Sequence, residues 1–85
     1  MSEQEVELTR VRDRIQQFIR VFFKEQGIKG QFHAEDLRRF IRKHDPVIAP
    51  GSPDRVLRDM RQRGQLDYRV INRHQSLYQI DRLPR

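Results

Sequence analysis

Ser52-Pro53-Asp54-Arg55-Val56-Leu57-Arg58-Asp59-Met60-Arg61-Gln62-Arg63-Gly64-Gln65-Leu66-Asp67-Tyr68-Arg69-Val70 changes its apolar period partway along, and that change decides the fold. Val56, Leu57 and Met60 recur at the three- and four-residue spacing of one helix face. Ser52 is expected to cap the helix, with Pro53 at its first position and Asp54 in its positive first turn. Gly64 supplies a stop, because glycine adopts the left-handed conformation that follows a last turn. Beyond it the spacing becomes two. Leu66, Tyr68 and Val70 face one way, and Asp67, Arg69 and Ile71 the other. Asn72-Arg73-His74-Gln75 is a polar link, after which Ser76, Tyr78 and Ile80 alternate with Leu77 and Gln79. A helix followed by a β-hairpin is predicted.

Working back toward the N-terminus, Leu37, Phe40 and Ile41 give a helix starting near Ala34. Glu35 and Asp36 suit its N-terminal end, and Arg42, Lys43 and His44 its C-terminal end. His33 falls at the cap position, an unusual residue there. Asp45-Pro46 ends the helix, since the residue before proline is driven out of helical geometry. Pro46 to Gly51 is a turn in which Val47 and Ile48 supply one or two apolar plugs. Further upstream, Leu8, Val11, Ile15, Phe18, Ile19, Phe22 and Phe23 form one stripe on a helix from about Gln4 to Gln26, stopped by Gly27. Ile28 to Phe32 is a short extended connection. The N-terminal end of the long stripe is free to meet a partner subunit, because a small domain rarely covers so long a helix.

Composition narrows the function. Eighty-five residues make one domain, expected to be ordered over about residues 6–81, with an interior too small for a roomy catalytic cleft. An enzyme is therefore not expected. No cysteine is present, which excludes disulfides, thiolate metal sites and cysteine nucleophiles. His33, His44 and His74 lack metal-ligand spacing, and no phosphate-binding glycine loop, GxSxG or HExxH occurs, so neither metal nor cofactor is expected. The acidic start Met-Ser-Glu-Gln-Glu-Val-Glu and a longest apolar run of Val21-Phe22-Phe23 predict a soluble, cytoplasmic chain without leader or membrane span.

The charge is +6, and 15 of the 18 basic residues are arginine, whose guanidinium forks onto phosphates and guanine edges. Residues 51–85 hold eight basic and four acidic groups, a net of +4, against +2 for residues 1–50. The excess lies with the helix and hairpin that decide the fold.

Helix, short extended piece, helix, turn, helix and hairpin, in that order, resemble the winged helix-turn-helix family. The resemblance rests on Gly30-Gln31-Phe32-His33-Ala34-Glu35-Asp36-Leu37, on Ser52 to Gly64, and on the hairpin Gln65-Leu66-Asp67-Tyr68 through Ser76-Leu77-Tyr78-Gln79-Ile80, and it spans about residues 8–81. Its ending looks most like winged helices in bacterial and phage regulators and in some restriction endonucleases, and the resemblance implies an α+β fold of three helices with a C-terminal hairpin wing. It further implies double-stranded DNA as partner, with the third helix in the major groove and the wing on backbone or minor groove. On this sequence Arg55, Arg58 and Gln62 would read bases, and Ser52, Arg61, Arg69, Arg73 and His74 would contact backbone or support the wing. Amides at the start of the third helix would hold a phosphate. Transcriptional regulation would call for a homodimer, with helix 1 as its surface. No small-molecule substrate is evident.

Two other interpretations compete. Asp54 with Arg58, Arg55 with Asp59, and Asp59 with Arg63 are each four apart, and such pairs support an exposed helix without any ligand. A protein-docking domain, an adaptor or a subunit of a larger nucleic-acid-processing complex, is the alternative function. Tyr68 and Tyr78 are expected in the hairpin core rather than as stacking platforms.

Overall fold

A computed structural model describes the backbone of residues 3–26, 30–49 and 51–84, and the side chains of all of these except 3–9 and 26. Helices α1 (Glu3–Gln26), α2 (Ala34–His44) and α3 (Ser52–Gln62) accompany strands β1 (Gln31–His33), β2 (Asp67–Asn72) and β3 (Leu77–Arg82) in the order α1-β1-α2-α3-β2-β3. The fold is α+β, three helices against one antiparallel sheet in the order β1-β3-β2. The extended connection before α2 is a true strand: Gln31, Phe32 and His33 pair with Gln79, Tyr78 and Leu77. The hairpin is therefore two-thirds of a three-stranded sheet. The stop expected at Gly27 and the residue Ile28 lie outside the described residues.

The period-two pattern places the core correctly. Tyr68 pairs with Ile80 and Val70 with Tyr78, so these four share the face turned toward the helices, while Arg69 and Gln79 share the other. Leu66, Tyr68 and Ile80 are buried, but Val70, one rung further out, is 43% exposed. Ile71 has no partner in the register between Val70 and Asn72, so a bulge sits where the hairpin leaves the body. Ser76, expected to begin the last strand, lies in the turn with φ of +50°, and the strand starts at Leu77.

The buried residues of the three helices come from the expected stripes; the side chain of Leu8, expected in the stripe of α1, lies outside the described residues. Ile15, Ile19, Phe22 and Phe23 from α1, Leu37 and Ile41 from α2, and Val56, Leu57 and Met60 from α3 meet in one cluster with Phe32 and the sheet. Phe40 and Phe18 are only partly buried. Ile48 alone plugs the turn before α3, Val47 being 91% exposed. Val11 is 39% exposed, so the stripe of α1 runs out of the domain's own core toward its N-terminal end. No helix of the described residues is long and apolar enough to cross a membrane.

The start of α3 lies one residue earlier than the sequence suggests. Gly51, not Ser52, is the cap: it is already in the right-handed helical region, and its carbonyl accepts the Arg55 amide at 3.3 Å. Ser52 is the first helical residue and Pro53 the second. The turn from Ala49 merges into the helix through a 3.0 Å bond from the Ser52 amide to the Ala49 carbonyl, which removes the need for a side-chain cap. At the other end Gly64 adopts φ of +75°. Its amide reaches the Arg61 carbonyl at 3.0 Å and the Gln65 amide reaches the Met60 carbonyl at 2.9 Å, the paired bonds of a Schellman stop. That stop turns the chain from α3 directly into β2.

Candidate nucleic-acid interface

The turn at Gly64 sets α3 and the hairpin side by side, leaving an open cleft of about 590 Å³ between them. Arg58, Arg61 and Gln62 line it from α3; Tyr68, Val70, Arg73 and Tyr78 line it from the hairpin. Four of the eight residues expected to meet a ligand thus share one concavity. Arg55 lies three residues before Arg58, hence on the same helix face, and is exposed. Ser52 is half-buried at the first turn of α3. Of the amides beside Pro53 expected to hold a phosphate, that of Ser52 is already bonded to the Ala49 carbonyl.

The remaining two residues lie elsewhere. Arg69 alternates with Tyr68 and Val70 and so projects from the opposite face of the sheet, where its Nε sits 3.0 Å from Asp81. His74 is exposed in the hairpin turn. That turn is organised by Asn72, whose Oδ1 accepts the Gln75 amide at 3.2 Å, and by a bond from the Ser76 amide to the Arg73 carbonyl, also at 3.2 Å.

Ion pairing decides which charges face outward. Every acidic residue from Gly51 onward is already engaged. Asp54 is held by Arg38 of α2 at 3.1 Å, Asp59 by Arg63 at 3.1 Å, Asp67 by Arg61 at 3.5 Å and Asp81 by Arg69. The pairs Asp54–Arg58 and Arg55–Asp59 expected along α3 do not form. Arg55, Arg58 and Arg73 consequently have no ion-pair partner among the described residues. Exposed guanidiniums on both α3 and the hairpin thus stay outside these pairs.

The cleft floor rests on aromatic rings. A chain of ring contacts runs from Phe40 through Phe22, Phe23 and Phe32 to Tyr78 and Tyr68, with centroid separations of 5.5, 5.3, 5.0, 5.6 and 5.3 Å. The guanidinium of Arg61 lies 5.0 Å from the Tyr68 ring centroid, so this arginine is fixed by its aromatic neighbour as well as by Asp67. Burial pushes the Tyr68 phenol above its ordinary value of 10.0; Tyr78 and Asp54 raise it further, and Arg61 and Arg58 oppose the shift. The phenol is protonated at neutral pH, and both tyrosines belong to the core and cleft floor rather than to a free stacking platform.

One positioning residue was not anticipated. His33 makes no cap bond to α2. Its Nδ1 instead lies 3.1 Å from the Gln75 carbonyl, with the ring nitrogen as donor, and the Ala34 amide donates to the Ser76 carbonyl at 2.9 Å. These two bonds fasten the hairpin turn to the start of α2 across 42 residues of sequence. The odd cap residue was the available signal.

Among the described residues no group of His, Asp and Glu converges on a point able to hold a metal ion. The chain matches no family model, no curated protein and no solved structure.

Proposed function

We propose that this chain is a winged-helix module that binds double-stranded DNA, with α3 in the major groove and the β2–β3 hairpin as a wing on the adjacent backbone. One observation carries the proposal: every carboxylate on α3 and the hairpin is tied up internally, while Arg55, Arg58 and Arg73 are exposed and have no ion-pair partner among the described residues. Such charges are cheap to bring to a phosphate or a guanine edge, because no existing pair has to break. Arg58 and Gln62 reach bases, since both side-chain types make paired hydrogen bonds to base edges. Arg55 extends that face, Arg73 meets the backbone, and Ser52 and His74 add contacts at the two ends. Arg61 holds the cleft floor. Arg69, paired on the far side of the sheet, plays a smaller part than its sequence position suggests. Asp54 and Asp59 are already committed to Arg38 and Arg63.

Selection from a random duplex pool followed by Arg58→Ala tests this reading. Loss of one paired base contact lowers discrimination at one position by about 1–3 kcal/mol and leaves non-specific affinity nearly intact. A chain that shows no duplex binding even at low salt refutes the proposal. That outcome would favour a protein-docking role, to which the exposed Val70 and Ile71 of β2, 43% and 47% accessible, also lend themselves.

A further inference from the structure

We propose that the pocket between the outer face of α2 and the turn leading to α3 binds a small carboxylate that carries an apolar body about the size of one ring. Helical spacing supplies one wall. Glu35, Arg38, Arg39 and Arg42 stand three and four residues apart and share one face of α2. The other wall is the turn that begins at Asp45-Pro46. Within it the Ile48 amide bonds the Asp45 carbonyl and the Val47 amide bonds the Asp45 Oδ1, each at 3.3 Å, so the chain folds back and brings Ile48 and Ala49 alongside α2. Together with buried Ile41 and Pro53 they complete a pocket of about 190 Å³.

The lining is cationic on one side and apolar on the other, and that division selects the ligand. Glu35 is paired with Arg39 at 2.9 Å, so these two add no net charge. Arg38 bonds Asp54 through its Nε at 3.1 Å, and its guanidinium carries further donors. Arg42, one turn beyond Arg38, is exposed and has no ion-pair partner among the described residues. Two guanidiniums thus border the same pocket, and their planar forks match a carboxylate. Ile41, Ile48, Ala49 and Pro53 bring only hydrocarbon side chains, which gain from being covered by an apolar group. An inorganic anion would leave these four wet, and a neutral hydrocarbon would leave the two arginines unanswered.

Size narrows the class further. A cavity of about 150 Å³ accommodates benzene, whereas drug-sized ligands occupy about 300–1,000 Å³. The pocket at about 190 Å³ therefore takes one ring or one short branched chain together with its carboxylate. A ligand of about nine non-hydrogen atoms binds there with a dissociation constant on the order of a millimolar. The pocket shares no lining residue with the cleft between α3 and the hairpin, so the inference does not rest on the DNA reading.

Nitrogen-15 NMR of the free chain, without DNA, tests the site with cyclohexanecarboxylate as the probe. The amides of Arg42, Ile48 and Ala49 should shift and saturate at millimolar probe. Acetate and cyclohexanol each supply half of the ligand and should bind at least about tenfold more weakly. Arg42→Gln, a change at an exposed position, should weaken the probe about fivefold. Ala49→Glu places a carboxylate in the pocket and should abolish binding. Unchanged spectra away from α2 and the turn separate loss of binding from loss of fold. Absence of saturable shifts in the wild-type chain overturns the proposal. So does acetate or cyclohexanol binding as tightly as the probe, or an Arg42→Gln chain with wild-type affinity.

Discussion

Arg73 and Arg69 lie four residues apart on one hairpin, and their replacement by alanine should have unequal consequences for DNA binding. Arg73 has no ion-pair partner among the described residues and lines the cleft beside α3. Arg69 projects from the other face of the sheet and sits 3.0 Å from Asp81. Each phosphate neutralised by a protein cation contributes about 0.9 to the slope of log affinity against log salt. Arg73→Ala should therefore make that slope shallower by about 0.9. Raising salt from about 50 to about 200 mM then shrinks the affinity gap between wild type and variant by about 3.5-fold. Arg69→Ala removes a cation that faces elsewhere and frees Asp81 on that same outer face, so the slope should move by much less. Both are exposed positions, where substitution shifts stability by no more than about 0.5 kcal/mol, and differences in fold do not confuse the comparison. Fluorescence anisotropy of a labelled duplex across a salt series gives both slopes. Equal changes in slope, or a larger change for Arg69→Ala, would refute the assignment of the cleft as the DNA-facing side.

Alkaline titration followed by phenolate absorbance should find one of the two tyrosines ionising above 10.0, and Arg61→Ala should raise it further by removing the largest opposing charge. Because the folded state holds that proton more tightly than the unfolded chain, the associated stability is complete below pH 10 and is lost as pH rises through the folded value. Urea unfolding at neutral and strongly alkaline pH reads the decline. Gly64→Ala should cost about 1–2 kcal/mol although its methyl group has room, meeting only the Arg82 side chain at 3.8 Å, because the strain lies in the positive φ of +75°. For a chain of this size that lowers the melting temperature by roughly 4–8 °C per kcal/mol.

Most of the architecture follows from periodicity, since burial acts on the same residues that set the pattern. Val56, Leu57 and Met60, then Leu66 and Tyr68, occupy the interior that their spacing assigns them. What escaped is structure that exists only through a distant partner. Three residues between Gly30 and the start of α2 carry too little pattern to announce β1; Gln31–His33 is a strand because β3 offers it a free edge. His33 looked anomalous because its partner, the Gln75 carbonyl, belongs to the hairpin turn. The cap of α3 moved to Gly51 for a local reason: the preceding turn already supplied helical geometry, which no residue preference for Ser52 can reveal.

The charges were the least legible part, and the reason is instructive about α3. Asp59 had two arginines four residues away and took Arg63 rather than Arg55. An acid placed N-terminal to its base aligns with the helix dipole, so this choice was readable from order alone. Asp54 had the same favourable order with Arg58 and still paired with Arg38, because the packing of α2 on α3 brings that guanidinium within 3.1 Å. Tertiary contact thus overrides a local pair worth only about 0.2–0.5 kcal/mol. The override matters for function because it releases Arg58 at the centre of the cleft, where a count of sequence neighbours would have neutralised it. By the same logic Arg38→Ala should return Asp54 to Arg58 and weaken duplex binding from a site on α2 that lies outside the cleft.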